Sequence, residues 1–150
     1  MTRPIEETRS EFIEKIGMIA QNDGLPRIAG RLLGLLVWDG EAVAFGDLAD
    51  QLQVSRGSIS TASRILEERR LIRRTSKPGQ RQDYFQLADN PYAKMLETVA
   101  VGLNRAQEEI DNTLTEIPDS ESAVKARVTA YSDFYRHMSG AITTILDDLK

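Results

Sequence analysis

Val54-Ser55-Arg56-Gly57-Ser58-Ile59-Ser60-Thr61-Ala62-Ser63-Arg64-Ile65-Leu66 is the stretch on which the fold of this 150-residue chain turns. Ser55 stands where a hydroxyl accepts from the amides a helix leaves free at its start, and Val54 before it is placed to pack on Ile59 as a staple. Ile59, Ala62 and Leu66 recur at three and four residues and so mark one buried face. The opposite face carries Gly57, Ser60, Thr61 and Arg64, which are small, polar and basic. Just upstream, residues 46–52 bring Leu48, Ala49 and Leu52 to one side of a short helix, and Gln53-Val54 make a tight turn. Helix, turn and capped helix are thus legible in the residues themselves.

Downstream, residues 71–76 and 82–87 read as two strands rich in β-branched or aromatic residues, joined by Lys77-Pro78-Gly79-Gln80-Arg81. This is a hairpin with a basic tip. Residues 54–81 hold Arg56, Arg64, Arg69, Arg70, Arg73, Arg74, Lys77 and Arg81 against Glu67 and Glu68, a local charge of +6 in a chain whose net charge is −4. The remainder is therefore strongly acidic, the pattern of a basic reading head on an acidic scaffold.

Upstream, residues 5–22 predict an amphipathic helix with Ile5, Phe12, Ile16 and Ile19 along one side, broken at Asp23-Gly24. Pro26 suits the first turn of a second helix running to about Trp38, because its missing N–H would have had no partner there. Gly30 and Gly34 share a face of that helix, where small residues permit close packing. Asp39-Gly40 ends it, and residues 43–45 are short and β-prone.

Beyond the hairpin, residues 91–116 place Tyr92, Leu96, Val99, Leu103, Ala106 and Ile110 at alternating steps of four and three. Pro118-Asp119-Ser120 interrupts, and Val124, Val128, Tyr131, Tyr135, Met138, Ile142, Ile145 and Leu149 continue the alternation. Two helices of this length have more apolar stripe than a small domain buries, so they are expected to pack on each other and on a second subunit. The fold class is thus mainly α with a small β-hairpin. Residues 1–24 are expected as an N-terminal dimerisation helix, 25–89 as a winged helix-turn-helix and 90–150 as a C-terminal helical dimerisation region. Phe12, Ile16, Val128, Tyr131, Tyr135, Met138, Ile142 and Ile145 are the expected dimer contacts.

Composition narrows the function. With no Cys and one His, His137, the chain lacks the means for thiol catalysis, disulfides or a multi-ligand zinc site, so no metal and no cofactor is expected. No nucleophile-base pair or phosphate loop stands out, which argues against an enzyme. Glu108, Glu109 and Asp111 fall on the flank of a long helix, where solvated charge is the ordinary reading. No apolar stretch approaches the roughly 20 residues of a membrane span. The acidic start does not suit a secretory signal, so a cytoplasmic protein without membrane contact is expected.

The run Gly24-x-Pro26-x-x-Ala29-Gly30-Arg31, with Leu48-Ala49, Val54 to Ser60, Leu66 and Lys77-Pro78-Gly79-Gln80-Arg81-x-x-Tyr84-Phe85, resembles the GbsR-like branch of the MarR superfamily. The resemblance implies a two-fold dimer held by terminal helices, a winged helix-turn-helix, and repression or activation under ligand control. Two positions depart from the pattern. Ala44 lies where a Ser or Thr often caps the first helix of the motif, a loss of about 1 kcal/mol. Arg70 stands where a Gly commonly closes the second, so it must be left-handed or the helix must end differently.

The expected function is a DNA-binding transcriptional regulator, a ligand-responsive repressor binding a pseudo-palindromic operator in double-stranded DNA as a homodimer. The DNA-contacting set is Ser55, Arg56, Gly57, Ser58, Ser60, Thr61 and Arg64 from the helix and Arg73, Arg74, Lys77, Gln80 and Arg81 from the hairpin. Arg56 and Arg64 are long enough to reach a guanine edge or a phosphate. A small-molecule effector is a further expectation: members of the resembled group include sensors of quaternary ammonium compounds, and Trp38, Phe45 and Tyr92 are candidates for a cation–π cage. The rival from another class is a winged helix that binds protein instead of DNA.

Overall fold

A computed structural model describes residues 2–150. Helix α1 (Ile5–Asn22) lies along α2 (Arg27–Asp39) in the most extensive helix pairing of the chain. Their contact is so close that a Cβ on Gly30 would sit 2.5 Å from the Ala20 Cβ and 2.5 Å from the Ile16 carbonyl oxygen. Gly34 faces Ile16 in the same seam. The close packing expected from these two glycines is realised. Pro26 stands one position earlier than expected: its ψ of 140° makes it the cap, and its carbonyl accepts from Ala29 N at 3.0 Å. Helix α2 stops at Gly40, whose left-handed φ of 71° returns its N–H to the Leu36 carbonyl.

The other face of α2 is the core. Leu32, Leu35 and Leu36 are fully buried, together with Leu48 of α3 (Phe45–Leu52), Ile59 and Leu66 of α4 (Arg56–Glu68), and Phe85. Each such side chain removed from water contributes about 1.5–3 kcal/mol. The expected buried face of α4, with Ala62 at 2% exposure, is the observed one.

Both helices of the motif end the same way. Gln53 takes φ 55° while Val54 N–H reaches back to the Ala49 carbonyl, and Arg70 takes φ 63° while Leu71 N–H reaches the Leu66 carbonyl. These six-to-one bonds are Schellman closures built on side-chain-bearing residues. Of the two outcomes allowed at Arg70, the left-handed one holds.

Strand β1 (Val43–Ala44), β2 (Ile72–Thr75) and β3 (Tyr84–Leu87) form an antiparallel sheet in the order β1-β3-β2. The hairpin is thus part of a three-stranded sheet, and its strands are shorter than the expected 71–76 and 82–87. Phe45 opens α3, and its N–H, which has no partner within the helix, bonds the Asp83 carbonyl at 2.9 Å.

The contacts divide the chain after Pro91, so α1 packs inside the same unit as the winged domain. The second unit comprises α5 (Pro91–Glu116), from Tyr92 on, and α6 (Ser122–Leu149). Within it the Ser132 hydroxyl donates to the Asp111 carboxylate. Only Ala93 on α5 and Ser132 and Leu146 on α6 are buried. Tyr131, Phe134 and Tyr135 form an edge-to-face row, with Tyr131 and Phe134 more than half exposed. The hydrogen bond shared with Tyr131 holds the Tyr135 hydroxyl above its ordinary pKa. Among the described residues, no helix is long and apolar enough to cross a membrane.

Two glycine exchanges should move stability in opposite directions. Gly30→Ala forces apart the α1–α2 seam and is expected to cost about 1–3 kcal/mol. Gln53→Gly removes a left-handed side chain and is expected to gain about 1 kcal/mol. Urea denaturation of the two variants against the parent checks both signs.

Candidate nucleic-acid interface

Helix α4 begins with the expected cap: Ser55 takes an extended backbone, and its Oγ accepts from Ser58 N at 3.1 Å. Ser58 Oγ lies 3.0 Å from the same hydroxyl, so the two serines close the first turn on each other. From that turn the helix offers Ser55, Arg56, Gly57, Thr61 and Arg64 as exposed positions, with Ser58 and Ser60 half-buried. Short side chains at the start of a helix permit close backbone approach to a groove wall, and the free amides and dipole there favour negative charge. Beside this turn, Pro26, Ile28, Ser55, Gly57, Ser58, Thr61 and Ala62 line an open depression of about 380 Å³. Of the expected helix contacts, Ser55, Gly57, Ser58 and Thr61 line this depression, and Arg56, Ser60 and Arg64 do not.

Arg56 is held before any ligand arrives. Its guanidinium carbon sits 4.8 Å from the centre of the Phe45 ring, a cation–π contact that narrows its range of positions. Arg64, a little over two turns further along, is exposed.

The wing is fastened to the motif at its root. Gln82 Oε1 accepts from Gly46 N at 3.2 Å, and the Asp83 carbonyl accepts from Phe45 N. Those two amides belong to the first turn of α3, whose cap position, Ala44, offers no side-chain oxygen. The wing thus supplies the cap that Ala44 lacks. Sequence reasoning misses this arrangement, and the departure at Ala44 is the one signal that could have pointed to it.

The expected wing residues fare differently. Lys77, Gln80 and Arg81 are exposed at the tip, with Lys77 Nζ 4.5 Å over the Tyr84 ring. Arg73 is exposed on β2 opposite Gln86. Arg74 is half-exposed but engaged by the protein: it pairs with Glu67 of α4 at 3.1 Å and Asp83 at 3.2 Å, and lies over Phe85.

Two further arginines position the motif from behind. Arg31 donates to the Glu14 carboxylate and to the Leu52 carbonyl, the last of α3. Arg9 forks onto Asp39 at 2.9 and 2.8 Å and reaches Gln51. Together they tie α1 and α2 to the helix that precedes the turn.

The expected effector residues are not gathered in the first unit. Trp38 packs on Phe12 at 5.4 Å, while Phe45 faces Phe85 and Arg56. Tyr92 belongs to the second unit and is 46% exposed. Among the described residues no group of three or more His, Asp or Glu is placed to hold a metal ion.

Residues 23–83 match the model of the MarR family. Over 137 residues the chain is 32% identical to the HTH-type transcriptional regulator MmpR5 of Mycobacterium tuberculosis, a match that covers 91% of this chain and 83% of that protein. It is also similar to a transcriptional regulator known from its crystal structure, with a TM-score of 0.79, 30% identity, and coverage of 94% of this chain and 97% of that one.

Substitution tests the capping role of Ser55. Ser55→Ala is expected to cost about 1 kcal/mol of stability, whereas Ser55→Asp, an equally good cap with a charge that suits the helix dipole, retains it. Thermal unfolding of the two variants distinguishes them.

Proposed function

The chain belongs to the MarR family of winged helix-turn-helix transcriptional regulators, and we propose that it works as a homodimer on a pseudo-palindromic site in double-stranded DNA. In this reading α4 enters the major groove by its first turns, and the 76–83 wing lies on the adjacent minor groove or backbone. The observation that carries it is the exposed face of α4, small and polar at its start and basic at Arg56 and Arg64, beside a wing tip bearing Lys77, Gln80 and Arg81. Ser55, Gly57, Ser58, Ser60 and Thr61 line the approach, and Arg73 adds charge on the flank.

Dimerisation is supported by what the second unit leaves uncovered. Two helices of 26 and 28 residues bury three side chains between them, while Tyr131 and Ile145 remain at 54% and 45% exposure. Val128, Tyr135, Met138 and Ile142 are half-buried along the same helix, and on α1 Met18 and Ile19 are exposed beside half-buried Phe12 and Ile16, which are partly covered by Trp38 and the α2 seam. A second copy is the partner proposed for these faces. The cytoplasm is the proposed compartment.

Three finer assignments belong to the same proposal. The glycine, serine and wing motifs favour the GbsR-like branch. The protein is proposed to repress, with occupancy of DNA controlled by a small-molecule effector. Of the three aromatic residues expected to hold a cationic ligand, Phe45 is the one proposed here. A cation seated on Phe45 would compete with the Arg56 guanidinium, which links ligand occupancy to a DNA-facing arginine. The protein-binding winged helix is the alternative, and added salt separates them: release of counterions from DNA makes binding fall steeply with salt.

Duplexes selected from genomic fragments supply the test. Arg64→Ala should lose about 1–3 kcal/mol at one base position per half-site if its contact is bidentate. Arg81→Ala should weaken specific and nonspecific duplexes alike and lower the salt slope by about one. Ser55→Asp should fold normally and bind poorly, because its carboxylate faces phosphate. Unchanged affinity, specificity and salt slope in all three would place the reading surface elsewhere. For the dimer, Met138→Glu with Ile142→Glu should yield monomer or unfolded chain in sedimentation. A monomeric parent at micromolar concentration would contradict the assignment.

A further inference from the structure

Arg74 is the most heavily engaged basic residue of the hairpin, and its contacts lie within the protein. It leaves β2 opposite Phe85 in the ladder and lays its guanidinium 5.3 Å from the centre of that fully buried ring. One terminal nitrogen meets the Glu67 carboxylate near the end of α4, and the other meets the Asp83 carboxylate just before β3. Asp83 is itself the residue whose carbonyl caps α3, and neighbouring Gln82 caps the next amide. A single planar fork thus joins the recognition helix to the returning strand at the point where the wing is sewn to the first helix of the motif.

Resting on the DNA-binding reading, we propose that Arg74 is a positioning residue: it sets the pitch of the wing against α4. The geometry suits Arg alone. A guanidinium reaches two carboxylates through separate nitrogens while its face rests on an aromatic ring, whereas a lysine ammonium is a point charge that serves one partner well. The pair with Glu67 is half-exposed, so its value lies in geometry more than in stability.

Arg74→Lys decides between this role and a direct grip on phosphate, since Lys preserves the charge and loses the fork. A positioning Arg74 predicts that Arg74→Lys and Arg74→Gln weaken binding to the selected duplex alike, by about tenfold, with the salt slope of the parent retained. It also predicts faster amide hydrogen exchange in the β2–β3 ladder, residues 72–75 and 84–87, of the free protein in both variants, with α1 and α2 unchanged. A phosphate contact predicts the reverse: Lys restores parental affinity, Gln lowers the slope by about one, and exchange in the ladder does not move. That second pattern overturns the proposal, and so does parental exchange in the ladder by itself. Should Gln at this position unfold the domain, the Lys variant carries both readouts. If the parent binds no duplex, the DNA reading fails, while hydrogen exchange still decides whether Arg74 holds the wing.

Discussion

Helix α2 is buried on two sides at once, and the placement of the winged domain follows from that. Its glycine side admits α1 to backbone distance at Gly30, and its leucine side makes the core shared with α3, α4 and Phe85. From the same helix Arg31 crosses to the Leu52 carbonyl at the end of α3, so the turn before α4 is fixed to the α1–α2 pair. The exposed face of α4 is therefore presented by a packed scaffold. Little conformational freedom remains to be lost there when a ligand docks.

Electrostatics explains how an acidic protein presents such a face. The basic residues are concentrated in residues 54–81, and two acids beside them are paired: Glu67 and Asp83 with Arg74. Behind the motif Glu14 and Asp39 are held by Arg31 and Arg9, whose side chains are about one-fifth exposed. Within a Debye length of roughly 10 Å at 0.1 M salt, the exposed arginines and lysine of the tip and α4 dominate the local field on that face.

Most of the fold is legible in the sequence because it is periodic. Helix α1 and helix α5 occupy the expected residues, and the cap at Ser55 is where the hydroxyl suggests. What escapes is long-range. The bonds from Gln82 and Asp83 to residues 45 and 46 join positions far apart in the chain, and no local pattern announces them. The four-three stripe on α6 correctly marks a helix, yet Ser132 and Leu146 are its buried residues while Tyr131 and Ile145 stay outside. Periodicity identifies an apolar face, but not which of two partners covers it. Arg74 shows the matching limit for charge: its neighbours in sequence place it among the basic residues of the wing, and its carboxylate partners are brought to it only by the fold.

Hydroxyl-radical footprinting of the full-length protein on a selected duplex tests the central claim most directly. The account predicts two protected patches on one face of the helix, related by two-fold symmetry and separated by about 10 base pairs or a multiple of that. Protection of a single asymmetric patch, or no protection at concentrations where the protein is folded and associated, would contradict it.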